Sequence, residues 1–150
     1  THQDGVARTP AALTGLGDRI RFAGYVDPDA YPRHLASFDM LVFLVPGSDG
    51  TCRAAREALS CGVPVIASRR GLLPELIPED SGILLQNEAI ETLSEAMLGL
   101  AQDPHKRQQM GINAREHAIE TYGSGGLATA LVARLADVIG PGDGQILQNR

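Results

Sequence analysis

Short apolar runs that alternate with helical patterns are the feature that most constrains how this chain can fold. Residues 40–45, MLVFLV, and residues 63–68, VPVIAS, are apolar without polar alternation, which is typical of strands buried on both faces. A helical pattern fills residues 51–61 between them and is stopped by Gly62 and Pro64. Strands and helices that alternate in this way build a parallel sheet flanked by helices, so we predict an α/β fold.

The remaining segments extend this alternation along most of the chain. Residues 19–25 alternate at period two and predict a first strand, and residues 31–38 predict a short helix with Leu35 and Phe38 facing inward. Further on, the sequence predicts a short helix in LPELI, a strand in GILLQ, and three helices over residues 89–101, 104–121 and 127–139, the last two separated by YGSGG. We expect one domain over residues 1–140 and a flexible tail over residues 141–150.

Composition excludes several classes of function. The 150 residues are 43% hydrophobic and 21% charged, as expected of a globular domain with its own core. A net charge of -5 argues against a nucleic-acid surface, which needs a basic footprint. Cys52 and Cys61 match no redox or zinc spacing, and the four histidines show no ligand spacing, so we predict no metal site. No apolar run approaches the ~20 residues that span a bilayer, and no leader opens the chain, so we expect a cytoplasmic protein.

Three loops are the expected ligand region, because ligands of parallel α/β sheets gather at the carboxyl ends of the strands. These loops are residues 24–28, 46–51 and 68–73. The middle loop leads into the helix after the first buried run. It contains Asp49, which is separated by seven residues from Glu57 on that helix.

Spacing alone leaves two interpretations of this acidic pair open. In the first, Asp49 or Ser48 caps the helix, and Glu57 points away from the core and pairs with Arg53 one turn earlier, a contact worth only ~0.2–0.5 kcal/mol. In the second, Gly50 and the residue after it leave backbone N–H groups uncovered at a helix start, which suits a phosphate or sugar oxygen.

The acidic pair also belongs to a longer ordered pattern. Asp49-x7-Glu57, continued as EALSCGVPVIAS and GLLPEL, resembles the E-x7-E signature of retaining, nucleotide-sugar-dependent glycosyltransferases of group 1, or family 4, which have the GT-B fold. RIRFAGYV, SGILL and DPHKRQQMGINAREHAIETYG extend the resemblance over roughly residues 16 to 123. It implies a Rossmann-like parallel sheet flanked by helices, the carboxyl-terminal, donor-binding domain of such an enzyme without its first strand-helix units.

The resemblance implies roles for the residues around this pair. Glu57 is similar to the glutamate that holds the ribose hydroxyls of the donor, and a carboxylate can accept from two neighbouring hydroxyls. Asp49 resembles the catalytic acid that meets the transferred sugar, although it is one methylene shorter than the usual glutamate. The backbone amides of Gly50, Thr51 and Cys52 are expected to cover sugar and diphosphate oxygens.

Two further loops are implicated by the same resemblance. Gly24, Tyr25 and Val26 resemble the wall of the pocket for the nucleotide base, and Gly71 lies where the family has a glycine near the ligand. Leu72 departs from the family pattern, because a second glycine is common at its position. The resemblance implies no metal and no cofactor, since the nucleotide-diphosphate sugar is itself the donor substrate.

Much of a GT-B enzyme does not match this chain. The family's Arg/Lys pair that grips the diphosphate lies upstream of the first residue, as does the amino-terminal acceptor-binding domain, which we expect to be a partner within the same parent chain. We therefore expect the 150 residues to be inactive alone. The resemblance also leaves open that the parent enzyme contacts a membrane surface through the domain missing here. Two alternatives are a non-catalytic nucleotide or sugar-binding module and a receiver-like signalling domain. The second is disfavoured because a receiver-like domain would have an acceptor aspartate at the end of a strand. Here PGS, residues 46–48, follows the strand predicted over residues 40–45.

Overall fold

The computed structural model of the chain describes residues 15–16, 19–45 and 52–139, without the side chains of residue 127 and residues 136–139. Loop residues 46–51 and the predicted tail, residues 141–150, lie outside the described residues. The chain divides into two compact units, Thr1–His34 and Leu35–Arg150.

Three parallel strands form the sheet of the second unit. They are β1 (Leu41–Phe43), β2 (Val65–Ala67) and β3 (Gly82–Leu84), in the order β1-β2-β3. Val42 pairs with Ile66, which pairs with Ile83, so the register is the same across all three strands. This sheet confirms the predicted α/β fold and places the carboxyl ends of the strands at one edge.

Six helices accompany these strands in the part of the chain that the structure describes. They are α1 (Tyr31–Leu35), α2 (Arg53–Ser60), α3 (Leu73–Leu76), α4 (Ile90–Gln102), α5 (Pro104–Tyr122) and α6 (Ser124–Ile139). Gly62 has a φ of 75° just after α2, which is the left-handed conformation that ends many helices. The predicted stop at Gly62 is therefore confirmed.

The strand predicted over residues 19–25 is wrong. Arg19 donates its N–H to the carbonyl of Leu16 at 2.9 Å in a turn, and residues 20–25 are neither helix nor strand. Ile20 and Phe22, the apolar half of the alternation, are exposed. An alternating pattern becomes a strand only when a neighbouring strand supplies hydrogen bonds, and the described sheet does not include this segment.

Two further predictions differ in detail from the structure. Phe38 is exposed because α1 ends at Leu35, which is itself buried as predicted. Only β2 is fully buried, and the residues of β1 are half-buried because β1 has one strand neighbour in the described sheet, whereas β2 has two.

The helix predicted to begin at residue 127 begins three residues earlier. Only Gly123 separates α5 from α6, and the glycines that follow it are helical. Glycine costs ~1 kcal/mol in a helix, which is why GSGG reads as a loop in the sequence. At Gly126 a side chain would collide with the carbonyl of Glu120 in the last turn of α5, so glycine permits the close return of α6.

The core packs around the central strand β2. Ile66 contacts a buried cluster made of Leu85, Leu100 on α4 and Met110 on α5. Arg107 fixes the junction of these two helices, because its guanidinium donates to the carbonyls of Leu100 at 2.5 Å and Ala101 at 2.9 Å. Cationic donors at the carboxyl end of a helix satisfy carbonyls that have no partner within the helix.

Candidate functional site

The carboxyl edge of the sheet is held together by contacts between the segments that follow the strands. The hydroxyl of Ser68, directly after β2, donates to the carbonyl of Leu44 directly after β1. The N–H of Leu85, directly after β3, donates to the carbonyl of Ala67 at 2.8 Å. These bonds bring the loops after all three strands to one fixed edge, where ligands of parallel sheets bind.

The helix α2 begins at this edge with an unusual backbone conformation. Its N-cap residue is Cys52, which has φ 49° and ψ 39° and is 1% exposed. The predicted start at Thr51 is therefore two residues too early, because helical geometry begins at Arg53. A non-glycine residue in the left-handed region costs about 1–2 kcal/mol, and such strain clusters at functional loops.

Glu57 lies on the outer face of α2, as its position in the helix predicts. Ala55, Ala58 and Leu59 are buried, whereas the side chain of Glu57 is 38% exposed. Its Oε1 lies 3.6 Å from Nε of Arg53, whose side chain is 76% exposed. The ion pair of the first interpretation is thus present, but an exposed pair at this spacing contributes only ~0.3–0.5 kcal/mol and leaves the carboxylate accessible.

Three residues predicted to meet the donor, Asp49, Gly50 and Thr51, lie outside the described residues, as does Ser48, the alternative helix cap. The backbone contact predicted for Cys52 stays a prediction.

The predicted base-pocket residues belong to the first unit. Gly24 has a φ of 68° and open space where a side chain would project, Tyr25 is exposed, and Val26 is half-buried. Gly71 belongs to the second unit and has a φ of 55°, two residues before the start of the short helix α3. Both glycines occupy the left-handed region, where a side chain would be strained.

Sequence analysis missed an ion pair at the carboxyl edge. Arg70, in the loop after β2, contacts Glu88, in the loop after β3, through Nη2 and Oε2 at 2.6 Å and through Nε and Oε1 at 2.5 Å. Two adjacent arginines at the end of a predicted buried strand were the available signal for Arg70. Glu88 carried none, because its partner lies 18 residues away in the chain.

Two other properties of the described ranges concern the kind of site. Within residues 15–16, 19–45 and 52–139, no group of three or more His, Cys, Asp or Glu side chains could hold a metal ion. None of the helices in these same ranges is long and apolar enough to cross a membrane. A groove of about 530 Å³ includes Gly62, Gly111 and Ile112 among its lining residues, and no predicted site residue lines it.

In sequence, the chain is similar to known glycosyl transferases. A family model described as glycosyl transferases group 1 matches residues 5–117. A GDP-mannose-dependent monoacylated alpha-(1-6)-phosphatidylinositol monomannoside mannosyltransferase from Corynebacterium glutamicum is 30% identical over 112 residues, which cover 69% of this chain and 29% of that protein. The chain therefore spans about three tenths of the length of this curated relative.

Two solved structures share the fold. Sucrose-phosphate synthase from Thermosynechococcus elongatus superposes with a TM-score of 0.65 at 27% identity, over 88% of this chain and 34% of that one. The C-terminal domain of a group 1 family glycosyl transferase from Francisella tularensis superposes with a TM-score of 0.67, over 83% of this chain and 66% of that one. At 22% identity, the second likeness shows the fold alone.

Proposed function

Because this chain belongs to the group 1 glycosyl transferases, we propose that it is the donor-binding domain of an enzyme that transfers a sugar from a nucleotide-diphosphate sugar to an acceptor with retention of configuration. The observation that supports this proposal most directly is the position of α2. The helix begins at the carboxyl edge of the sheet, on a buried left-handed residue, and presents the accessible carboxylate of Glu57 one to two turns later.

Residues of α2 and of the loop before it are proposed to bind different parts of the donor. The carboxylate of Glu57 accepts hydrogen bonds from the two ribose hydroxyls, and Asp49 contacts the sugar that is transferred. The backbone amides of Gly50, Thr51 and Cys52 donate to sugar and diphosphate oxygens, where the partial positive charge of the helix start stabilises the leaving diphosphate.

Two loops complete the proposed donor site. The loop with Gly24, Tyr25 and Val26 forms the wall of the base pocket, and Gly71 places backbone near the ligand. The acceptor is bound by an amino-terminal domain of the same parent chain, through which the enzyme can contact a membrane surface. We propose a cytoplasmic location, because Cys52 and Cys61 stand as thiols, as is usual in a reducing compartment.

GDP-mannose is the first donor to test, because the corynebacterial relative depends on it by name. We expect the full-length protein that contains this chain to release GDP from GDP-mannose when a phosphatidylinositol mannoside is present as acceptor. The 150-residue chain alone is expected to show no transfer, because the acceptor domain and the basic diphosphate grip are missing from it. Chromatography of GDP and of the mannosylated lipid measures both.

A panel of UDP-sugars tested beside GDP-mannose separates a wrong donor from a wrong function. Turnover by the 150 residues alone would contradict the proposal that transfer needs the acceptor-binding domain as well as the donor-binding domain. Tight nucleotide binding by the full-length protein, with no transfer from any donor of the panel, would instead support a non-catalytic binding module.

The proposed site works without a metal ion, since helix ends and basic side chains are expected to stabilise the diphosphate. Excess EDTA should therefore leave the turnover of the full-length enzyme unchanged, within the error of the assay. Activity that disappears in chelator and returns with added Mg²⁺ or Mn²⁺ would show that a metal takes part.

A further inference from the structure

The loop after β2, residues 68–72, is tethered on both of its sides. Toward β1, the hydroxyl of Ser68 donates to the carbonyl of Leu44. Toward β3, Arg70 forms its two contacts with Glu88. Since β2 lies between β1 and β3, the two contacts hold the loop from opposite sides along the carboxyl edge.

The partner side of the second tether is itself anchored. Glu88 lies between Asn87 and Ala89 at the start of α4. The side-chain oxygen of Asn87 accepts from the N–H of Ala89 at 3.0 Å and from the hydroxyl of Thr92 at 2.8 Å. Arg70 is therefore attached to a segment that is fixed to a helix, rather than to another unanchored loop.

The geometry of the pair indicates positioning rather than stabilisation of the fold. Two parallel contacts from one guanidinium to one carboxylate fix direction as well as distance. The side chains are 55% and 39% exposed, and exposed ion pairs contribute little to overall stability. What the pair does fix is the backbone next to it, where Gly71 turns the chain with a positive φ.

We propose that Arg70 and Glu88 are positioning residues for the donor, holding the Gly71 turn in the conformation that receives a nucleotide-diphosphate sugar. This inference rests on the proposed function. A loop that is already ordered loses less conformational freedom when the ligand binds, so the pair strengthens donor binding without touching the reacting atoms. Its effect therefore belongs to KM and to nucleotide affinity, not to kcat.

The test uses four variants of the full-length protein with GDP-mannose as the donor and GDP as the free nucleotide. Arg70→Ala and Glu88→Gln are each expected to raise KM and the Kd of GDP about two- to fivefold, the range of an exposed ion pair, with kcat and the melting temperature nearly unchanged. The exchanged double variant, Arg70→Glu with Glu88→Arg, should recover most of the loss. Arg69→Ala, which removes the same charge from the adjacent exposed position, should behave as the wild type.

Hydrogen exchange of the amides of residues 68–72 provides a measurement that is independent of activity. Both single variants should exchange faster there than the wild type, and the exchanged double variant should not. Unchanged KM, Kd and exchange in the single variants would overturn the proposal, as would an effect of Arg69→Ala equal to that of Arg70→Ala. Tighter GDP binding by Glu88→Gln would also overturn it, because it would mean that Arg70 is withheld from the ligand.

The same measurements separate this inference from the proposed function. If the wild type neither binds GDP or UDP nor turns over any donor, the proposed function fails, and this inference fails with it. If the wild type binds and transfers normally while the single variants match it, only the positioning role is contradicted.

Discussion

Replacing Glu57 with alanine in the full-length protein is expected to weaken the binding of free nucleotide ten- to hundredfold. The proposed contact joins a carboxylate to two ribose hydroxyls, and loss of hydrogen bonds to a charged group costs roughly 1.5–3 kcal/mol. The affinity for the sugar donor should fall to the same extent, because the donor contains the same ribose. Calorimetric titration with GDP and with UDP measures this loss, and thermal melts establish that the variant is folded.

Two companion variants distinguish the ribose role from the ion-pair interpretation. Arg53→Ala breaks the contact with Glu57 but keeps the carboxylate, so it should leave nucleotide affinity unchanged. Asp49→Ala should also leave the affinity for free nucleotide nearly unchanged while lowering donor turnover, because its proposed contact lies beyond the phosphates. A folded Glu57→Ala variant with unchanged nucleotide affinity would rule out the ribose role.

Replacing Gly82 with alanine is expected to lower the free energy of unfolding by about 1–3 kcal/mol, the usual cost of forcing extra atoms into a packed core. A methyl group at this first residue of β3 would collide with the carbonyl of Val65 on β2 and would lie 2.6 Å from Cγ2 of Ile77. The carbonyl belongs to the central strand, so it cannot move without disturbing the sheet. Chemical denaturation measures the loss.

Gly99 provides the matched control for Gly82. It lies inside α4, and a methyl group there would meet nothing within 4 Å. Because alanine is a better helix former than glycine, Gly99→Ala should raise stability by up to ~1 kcal/mol. Equal effects of the two substitutions would mean that the close approach of β3 to β2 does not explain the glycine at position 82.

The order of elements in the second unit could be predicted because each signal is local. The apolar run that contains β2 needs no partner to be recognised, and Gly62 ends α2 through its own backbone conformation. The first predicted strand failed because its pattern depends on a neighbour. Period-two alternation describes which side chains share a face, but only hydrogen bonds from another strand make that segment part of a sheet.

In the candidate site too, features set by the local sequence could be predicted, and features set by the assembled fold could not. The outer position of Glu57 and its contact with Arg53 follow from helical spacing, so both were accessible from the sequence. The left-handed conformation of Cys52 was not accessible, because cysteine has no preference for it and the surrounding fold must impose it. The contact between Arg70 and Glu88 depends on two loops that meet only once the sheet is assembled.

The buried start of α2 has a consequence for chemical modification. The thiol of Cys52 is almost fully covered, so a thiol reagent reaches it only when this end of the helix opens, and its rate of reaction reports how often that opening occurs. Cys61, at the other end of the same helix, is half-buried, and burial raises the pKa of its thiol, which lowers its thiolate fraction at neutral pH. The helix that carries Glu57 thus has a native chemical reporter at each end.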